Sequence, residues 1–284
     1  MSYKNIVTSE WLKEKLDDTN IIIADCRFQL GQSTIGVEAY KKEHIPGAIY
    51  MDLEKDLSAP ISEHGGRHPL PTVEKMVHIF EQAGISNDKK VIAYDDQGGA
   101  MAARLWWMLK YLGHEKVYIL NEGFTHWKEK GYPISTVQPK LIPTSFTPDV
   151  QQQMLASMEE VKEKTSNSNV VLIDSRAEER YLGIMETVDP VAGHIPGAIN
   201  EDWQNRLGEN GIWLLKEEQK ESLKKYKELS NKELIVYCGS GVTACANILA
   251  FHEIDLRPKL YAGSWSDWIT YKDNPISRNH DLGE

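Results

Sequence analysis

The sequence predicts an α/β protein of two tandem domains, each a mostly parallel sheet with helices on both faces. Three observations lead there. The hexapeptide HIPGAI occurs twice, at His44–Ile49 and His194–Ile199, 150 residues apart. The same series of features surrounds both copies, as expected of a duplicated unit. Within each half, short apolar strands alternate with helix-like segments, the pattern of a parallel sheet covered by helices. A chain of 284 residues is long enough for two domains of about 140.

The elements follow in order. The N-terminus, MSYKNIVTSEW, has no basic stretch followed by an apolar one. It therefore does not read as a secretory signal and points to the cytoplasm. Each half opens with an apolar strand ending in an acid and an arginine: IIIADCR closes on Asp25 and Arg27, VVLIDSR on Asp174 and Arg176. The HIPGAI copies come next. Pro46 and Pro196 force an extended or turning chain, so these motifs read as a structural bend leading into a short strand. A second buried strand follows, VIAY at Val91–Tyr94 and LIVY at Leu234–Tyr237. Then come a glycine-bearing loop, a helix, a third strand, a turn glycine (Gly123 or Gly263) and a helix containing Trp127 or Trp268. The apolar run Leu105–Leu112 suits a helix buried between layers, and Trp265 and Trp268 should pack the last helix on the sheet. Ser157 followed by Glu160 fits a capping box. Pro139, Pro143 and Pro148, with glutamines around Gln151, suit a linker. The expected domains are residues 1–138, a linker at 139–152, and residues 153–284.

Composition limits the functional classes. Hydrophobic residues make up 41% and charged residues 26%, enough apolar content for packed cores and against disorder. Apolar runs such as Ile21–Ala24 and Val170–Ile173 are too short to span a bilayer. A net charge of −10 opposes nonspecific binding to nucleic acid and anionic membranes, so an anionic substrate would need a local positive pocket. The metal-ligand residues lack paired spacing, and no cofactor motif is present. Three cysteines, Cys26, Cys238 and Cys245, cannot all pair, which directs attention to a free thiol.

The chemistry is expected at VYCGSGVTACAN, Val236–Asn247. A strand runs into Cys238; Gly239 and Gly241 follow on either side of Ser240, then Val242, Thr243 and a helix beginning near Ala244. Such a turn can aim successive backbone N–H groups inward as an anion-binding nest, reinforced by the helix dipole. A thiolate at its base should have a lowered pKa. A persulfide, also anionic, would sit among the same donors. Cys26 is followed by no such turn and reads as a packed core residue. Cys245 reads as packing, with a redox or resolving role as its alternative. The first half supplies a control: aligning Tyr94 with Tyr237 places Asp95 opposite Cys238 and Gly98 opposite Gly241. One active and one degenerate copy is the simplest account.

The loop CGSGVTA, the paired HIPGA motifs and the Asp-for-Cys first half resemble the tandem rhodanese-domain sulfurtransferases over nearly the whole chain. The resemblance implies two rhodanese-like domains and a ping-pong transfer of sulfane sulfur, carried as a persulfide on Cys238, from 3-mercaptopyruvate or thiosulfate to a thiophilic acceptor such as cyanide, a small thiol or thioredoxin. The Gly239-Ser240 pair resembles the mercaptopyruvate branch. It implies substrate contacts from Arg180 and Arg176 in DSRAEERY and a proton relay of Ser240, His68 (from GGRHPLP, Gly65–Pro71) and Glu54. Arg67 is a further substrate or salt-bridge candidate. The stretch METVDPVAG, Met185–Gly193, lacks an arginine that mercaptopyruvate members often carry there. Two other functions compete. A cysteine phosphatase requires Cys-x5-Arg, but the clamp position holds Ala244. A noncatalytic binding module would show no unusually reactive thiol. Oligomeric state is left open.

Overall fold

The computed structural model describes residues 3–278, so the outer bounds at 1 and 284 lie outside the described residues. The chain forms two compact units. The first comprises Met1–Ala59, Pro71–Gln151 and Leu207–Leu214; the second comprises Pro60–Leu70, Gln152–Arg206 and Leu215–Glu284.

The first unit contains strands β1 (Ile6–Val7), β2 (Ile21–Asp25), β3 (Ile49–Tyr50), β4 (Lys90–Tyr94) and β5 (Val117–Leu120). They pair in the order β1-β5-β4-β2-β3, every pair parallel. The second contains β6 (Leu155–Ala156), β7 (Val170–Asp174), β8 (Ile199–Asn200), β9 (Glu233–Tyr237) and β10 (Lys259–Tyr261). Their order, β6-β10-β9-β7-β8, is the same and again wholly parallel. From β7 the chain crosses one way to β8 and then the other way to β9. Right-handed crossovers in opposite directions place helices on opposite faces. They also open a crevice at the carboxyl ends of β7 and β9, where an α/β sheet of this kind accepts ligands.

The repeated motifs brace each sheet in the same way. Arg27 pairs with Asp25 at 2.6 Å and donates to the Glu43 carbonyl at 2.8 Å. Arg176 pairs with Asp174 at 2.6 Å and donates to the Gly193 carbonyl at 2.7 Å. His44 and His194 stack on Tyr40 and Tyr181 and hydrogen-bond their carbonyls. The Ile45 and Ile195 amides donate to the hydroxyls of Tyr94 and Tyr237. HIPGAI is thus a bend stapled to the sheet, and it leads into β3 and β8 as its prolines require.

The helix Ala100–Tyr111 is buried at every position, matching the apolar run within it. Trp127 and Trp268 are both fully buried, and their indole N–H groups cap the Pro133 and Pro275 carbonyls. The Ser157 cap is present, its hydroxyl accepting the Glu160 N–H at 3.1 Å. The capping box does not close, because the Glu160 carboxylate pairs with Lys164 and Lys259 instead. The two turn glycines are not equivalent. Phe124 N–H donates to the Asp95 carbonyl and Trp265 N–H to the Cys238 carbonyl. The partner of Gly123 (φ +67°) is therefore Ser264 (φ +58°), one residue past Gly263.

Candidate active site

Strand β9 delivers Cys238 to the carboxyl edge of the sheet, and the loop 239–243 leads into the helix Ala244–Glu253. Neighbouring backbone fixes this loop. The Cys238 and Gly239 carbonyls accept the N–H groups of Trp265 and Ser266 at 3.0 and 2.9 Å. The Cys238 N–H donates to Ser264 Oγ at 3.1 Å. Gly241 sits at φ +73°, and a Cβ there would lie 2.1 Å from the Ala262 carbonyl oxygen; only glycine satisfies both constraints. Val242 is buried, and its carbonyl accepts the Cys245 N–H at 3.0 Å in the first helical turn.

Cys238 is 1% exposed. Burial pushes its thiol pKa up. The Thr243 hydroxyl and the backbone N–H groups of Ala244, Ser240 and Gly241 outweigh that, and the pKa falls below its ordinary value. Three of these donors are backbone N–H groups of the kind a nest supplies; the Thr243 hydroxyl is an addition that the local pattern did not suggest. The other two cysteines differ. Burial and the carboxylates of Asp95, Asp25 and Asp56 push the Cys26 thiol well above its ordinary range. Cys245 is buried in the helix and donates to the Gly241 carbonyl at 3.4 Å.

The segment Pro60–Leu70 belongs to the second compact unit, although it lies far outside the 153–284 span expected for that domain. The Gly65 N–H donates to Asp267 at 2.7 Å and the Arg67 N–H to Ser266 Oγ at 3.1 Å. Gly66, at φ +78°, passes so close that a Cβ would meet the Gly263 carbonyl oxygen at 2.5 Å. This seating brings buried His68 to the loop, with Nδ1 2.8 Å from Ser240 Oγ. Glu54 is not part of this pair. It belongs to the first unit, its side chain is exposed, and its N–H is capped by Asp52 at 2.9 Å.

Three arginines have distinct roles. The Arg176 side chain is 1% exposed and held by Asp174, the Gly193 carbonyl and Glu186, with its guanidinium 4.9 Å from the Trp265 ring centroid. Arg27 makes the corresponding brace in the half whose loop carries Asp95 in place of the cysteine. The geometry therefore gives Arg176 a structural task in place of the expected substrate contact. Arg180 faces the loop: a Cβ on Gly239 would lie 3.5 Å from its Nη2 and 2.9 Å from Arg67 Nη2. Burial lowers the Arg67 pKa, and Cys238 is first among the charges opposing that shift. Arg67 and Arg180 are thus the two guanidiniums at the thiol.

Two carboxylates that went unassigned in the sequence hold this pair. Glu186 accepts from Arg180 Nε at 3.1 and 3.0 Å, and Asp189 accepts from Arg180 Nη2 at 2.9 Å and from Arg67 Nη1. Both lie in METVDPVAG, which stands out in the sequence only for the arginine it lacks. Among the described residues, no group of three His, Cys, Asp or Glu side chains could hold a metal ion. No helix among them is long and apolar enough to cross a membrane.

Comparison with known proteins fits this geometry. The rhodanese-like domain model matches residues 8–130 and 157–271. A probable 3-mercaptopyruvate sulfurtransferase from Pseudomonas aeruginosa is 37% identical over 98% of this chain and 99% of its own length. A thiosulfate sulfurtransferase from Rattus norvegicus is 32% identical over 94% of this chain and 92% of its own. The solved 3-mercaptopyruvate sulfurtransferase from Leishmania major superposes with a TM-score of 0.85 at 30% identity, covering 99% of this chain and 78% of that one.

Proposed function

Given that the chain belongs to the rhodanese-like domain family and is a sulfurtransferase, we propose that Cys238 carries the transferred sulfur as a persulfide, with 3-mercaptopyruvate or thiosulfate as donor. The observation behind this reading is a buried thiol whose pKa is lowered by one hydroxyl and three backbone amides. In the first half-reaction the Cys238 thiolate attacks the outer sulfur of the donor. The C–S bond of mercaptopyruvate breaks, the enolate takes up the proton that the donor thiol releases, and pyruvate leaves. With thiosulfate the S–S bond breaks and sulfite leaves. Either way, the new terminal sulfur is an anion and takes the place of the thiolate among the donors of the loop. In the second half-reaction a thiophilic acceptor attacks that terminal sulfur and regenerates the Cys238 thiolate.

His68 and Ser240 support the mercaptopyruvate branch. With Nδ1 unprotonated, the Ser240 hydroxyl donates to it across 2.8 Å. The polarised hydroxyl is then placed to move a proton to or from the donor's carbonyl end. Arg180 and Arg67 hold the donor's anionic group, while Gly239 leaves room beside both guanidiniums. The acceptor is a small thiol or a thioredoxin-class protein, and the setting is the cytoplasm.

The test is turnover of the purified protein with each donor and cyanide as acceptor, alongside intact mass after the donor alone. We expect a Cys238 adduct heavier by one sulfur and a higher kcat/KM for mercaptopyruvate. Absence of the adduct with both donors would overturn the persulfide reading. A preference for thiosulfate would overturn the choice of branch.

A further inference from the structure

Asp189 occupies an unusual place for a carboxylate. Its side chain is 2% exposed. One oxygen accepts from Arg67 and the other from Arg180, the second at 2.9 Å. A carboxylate bridging two guanidiniums beside a reactive thiol has the geometry that a donor's carboxylate or sulfonate would itself adopt there. Glu186 is held differently. It grips the Nε edge of Arg180, and its Oε1 accepts the N–H groups of Val188 and Asp189 at 2.9 and 3.0 Å. Glu186 fixes the arginine; Asp189 covers the part of it that faces the other guanidinium.

The charges lead to the same conclusion. Arg67, Arg176 and Arg180 are matched one for one by Asp174, Glu186 and Asp189. On a chain of net charge −10, this cluster offers an incoming anion no surplus positive charge until one carboxylate gives way. Asp174 is locked in the Arg176 brace and Glu186 by its backbone bonds, which leaves Asp189.

We propose that Asp189 is an internal counter-anion that competes with the donor's anionic group for Arg67 and Arg180, and so sets how tightly the site takes anionic donors. This rests on the sulfur-transfer reading for the identity of the donors, though not for the competition itself. A dianion such as thiosulfate meets the stronger repulsion and must displace the carboxylate. A monocarboxylate meets less.

Asp189→Asn keeps the shape and one acceptor oxygen while removing the charge. Steady-state kinetics should show KM falling by about tenfold for thiosulfate, the scale of one partly buried ion pair, and by less for mercaptopyruvate. A rise in KM for both donors would mean that Asp189 merely positions the arginines, and would overturn the proposal. A second readout needs no turnover: the rate of Cys238 alkylation by anionic iodoacetate divided by the rate with neutral iodoacetamide. The ratio should rise by about tenfold in Asp189→Asn, and Asp189→Ser should move it in the same direction. An unchanged ratio in both variants would sink the inference. If neither donor is turned over while the ratio still rises, the choice of donors fails and the competition stands.

Discussion

The loops after β4 and β9 are built alike and hold different anions. In the first unit the Asp95 carboxylate accepts four backbone N–H groups of the loop and the helix start that follow it: Gln97, Gly99 and Met101 at 2.8 Å and Ala102 at 2.9 Å. In the second the Cys238 sulfur meets the amides of Ser240, Gly241 and Ala244 and the Thr243 hydroxyl. The converging amides are thus a property of the strand–loop–helix turn, present whether or not chemistry follows. What differs is the residue at the base. A carboxylate saturates the nest permanently, whereas a thiolate can extend itself by one sulfur and stay bound. The surroundings differ as well. The second unit adds His68, Arg67 and Arg180 to the loop, and Arg27 in the first unit only braces.

The largest effect should come from removing the sulfur. Cys238→Ser should lower turnover with either donor by about a thousandfold or more, since an alcohol is far less acidic than a thiol in the same nest. Cys26→Ser should leave turnover near the wild-type value, because burial and three neighbouring carboxylates keep that thiol protonated. Retained turnover in Cys238→Ser, or its loss in folded Cys26→Ser, would show that the two halves had been assigned the wrong way round.

The same comparison predicts an inverse ranking for stability. Asp95→Ala leaves four loop amides without their acceptor in a buried site, which should destabilise by about 4 kcal/mol. Cys238→Ala loses a weaker acceptor and should cost about 1 kcal/mol. Urea unfolding of the two variants compares them directly. A larger loss for Cys238→Ala would mean that the first loop is not held by its carboxylate.

Thr243 tests the chemistry of the nest without removing the thiol. Its hydroxyl is the strongest of the groups that lower the Cys238 pKa. A thiol with a lowered pKa is ionised above that pKa and loses its anion as pH falls through it, so the rate falls on the acid side. The stabilisation of the fold by this thiolate has the same sign: full above the unfolded thiol's pKa, lost on acidification through the lowered one. Thr243→Val should move the acid limb of the kcat/KM profile to higher pH. The rate below the new pKa should fall by about tenfold for each unit moved. An unmoved limb would mean that the backbone amides suffice.

How much of this was readable follows the range of each interaction. Cys238, its glycines and the helix start lie within eight consecutive residues, so a local pattern carries them. The repeat carries the likeness of the two sheets, because each half restates the other, but their strand order comes only from the structure. The brace by Arg176 was not read as such, although Arg27 follows the same strand in the half whose loop carries Asp95, which argues against a substrate role for that position. His68 and Arg67 reach the loop only because Gly65 and Gly66 seat the segment Pro60–Leu70 on the helix Ser264–Trp268, a contact some two hundred residues distant in the chain that no periodicity encodes. Asp189 was hidden for another reason. An acid reads as a solvated surface residue unless the two guanidiniums it bridges are already in place.

Ser264 gives the smallest effect and the sharpest contrast. It holds φ +58°, a left-handed conformation that costs a non-glycine residue about 1 kcal/mol; Gly123 fills the equivalent position at φ +67° without that cost. The second unit retains the serine because its hydroxyl accepts the Cys238 N–H at 3.1 Å and donates to the Tyr261 carbonyl at 2.8 Å. Ser264→Gly relieves the strain and loses these bonds, so stability should change by less than about 1 kcal/mol while kcat falls severalfold as the base of the loop loosens. Ser264→Ala keeps the strain and loses the same hydroxyl; it should match the kcat loss and be less stable than Ser264→Gly by about 1 kcal/mol. The reverse change, Gly123→Ser, meets the Asp95 carbonyl oxygen at 2.5 Å from the new Cβ and should destabilise the first unit. Wild-type kcat in Ser264→Ala would show that the strained serine is not what positions the thiol. Equal stability of the alanine and glycine variants would show that the left-handed backbone costs nothing there.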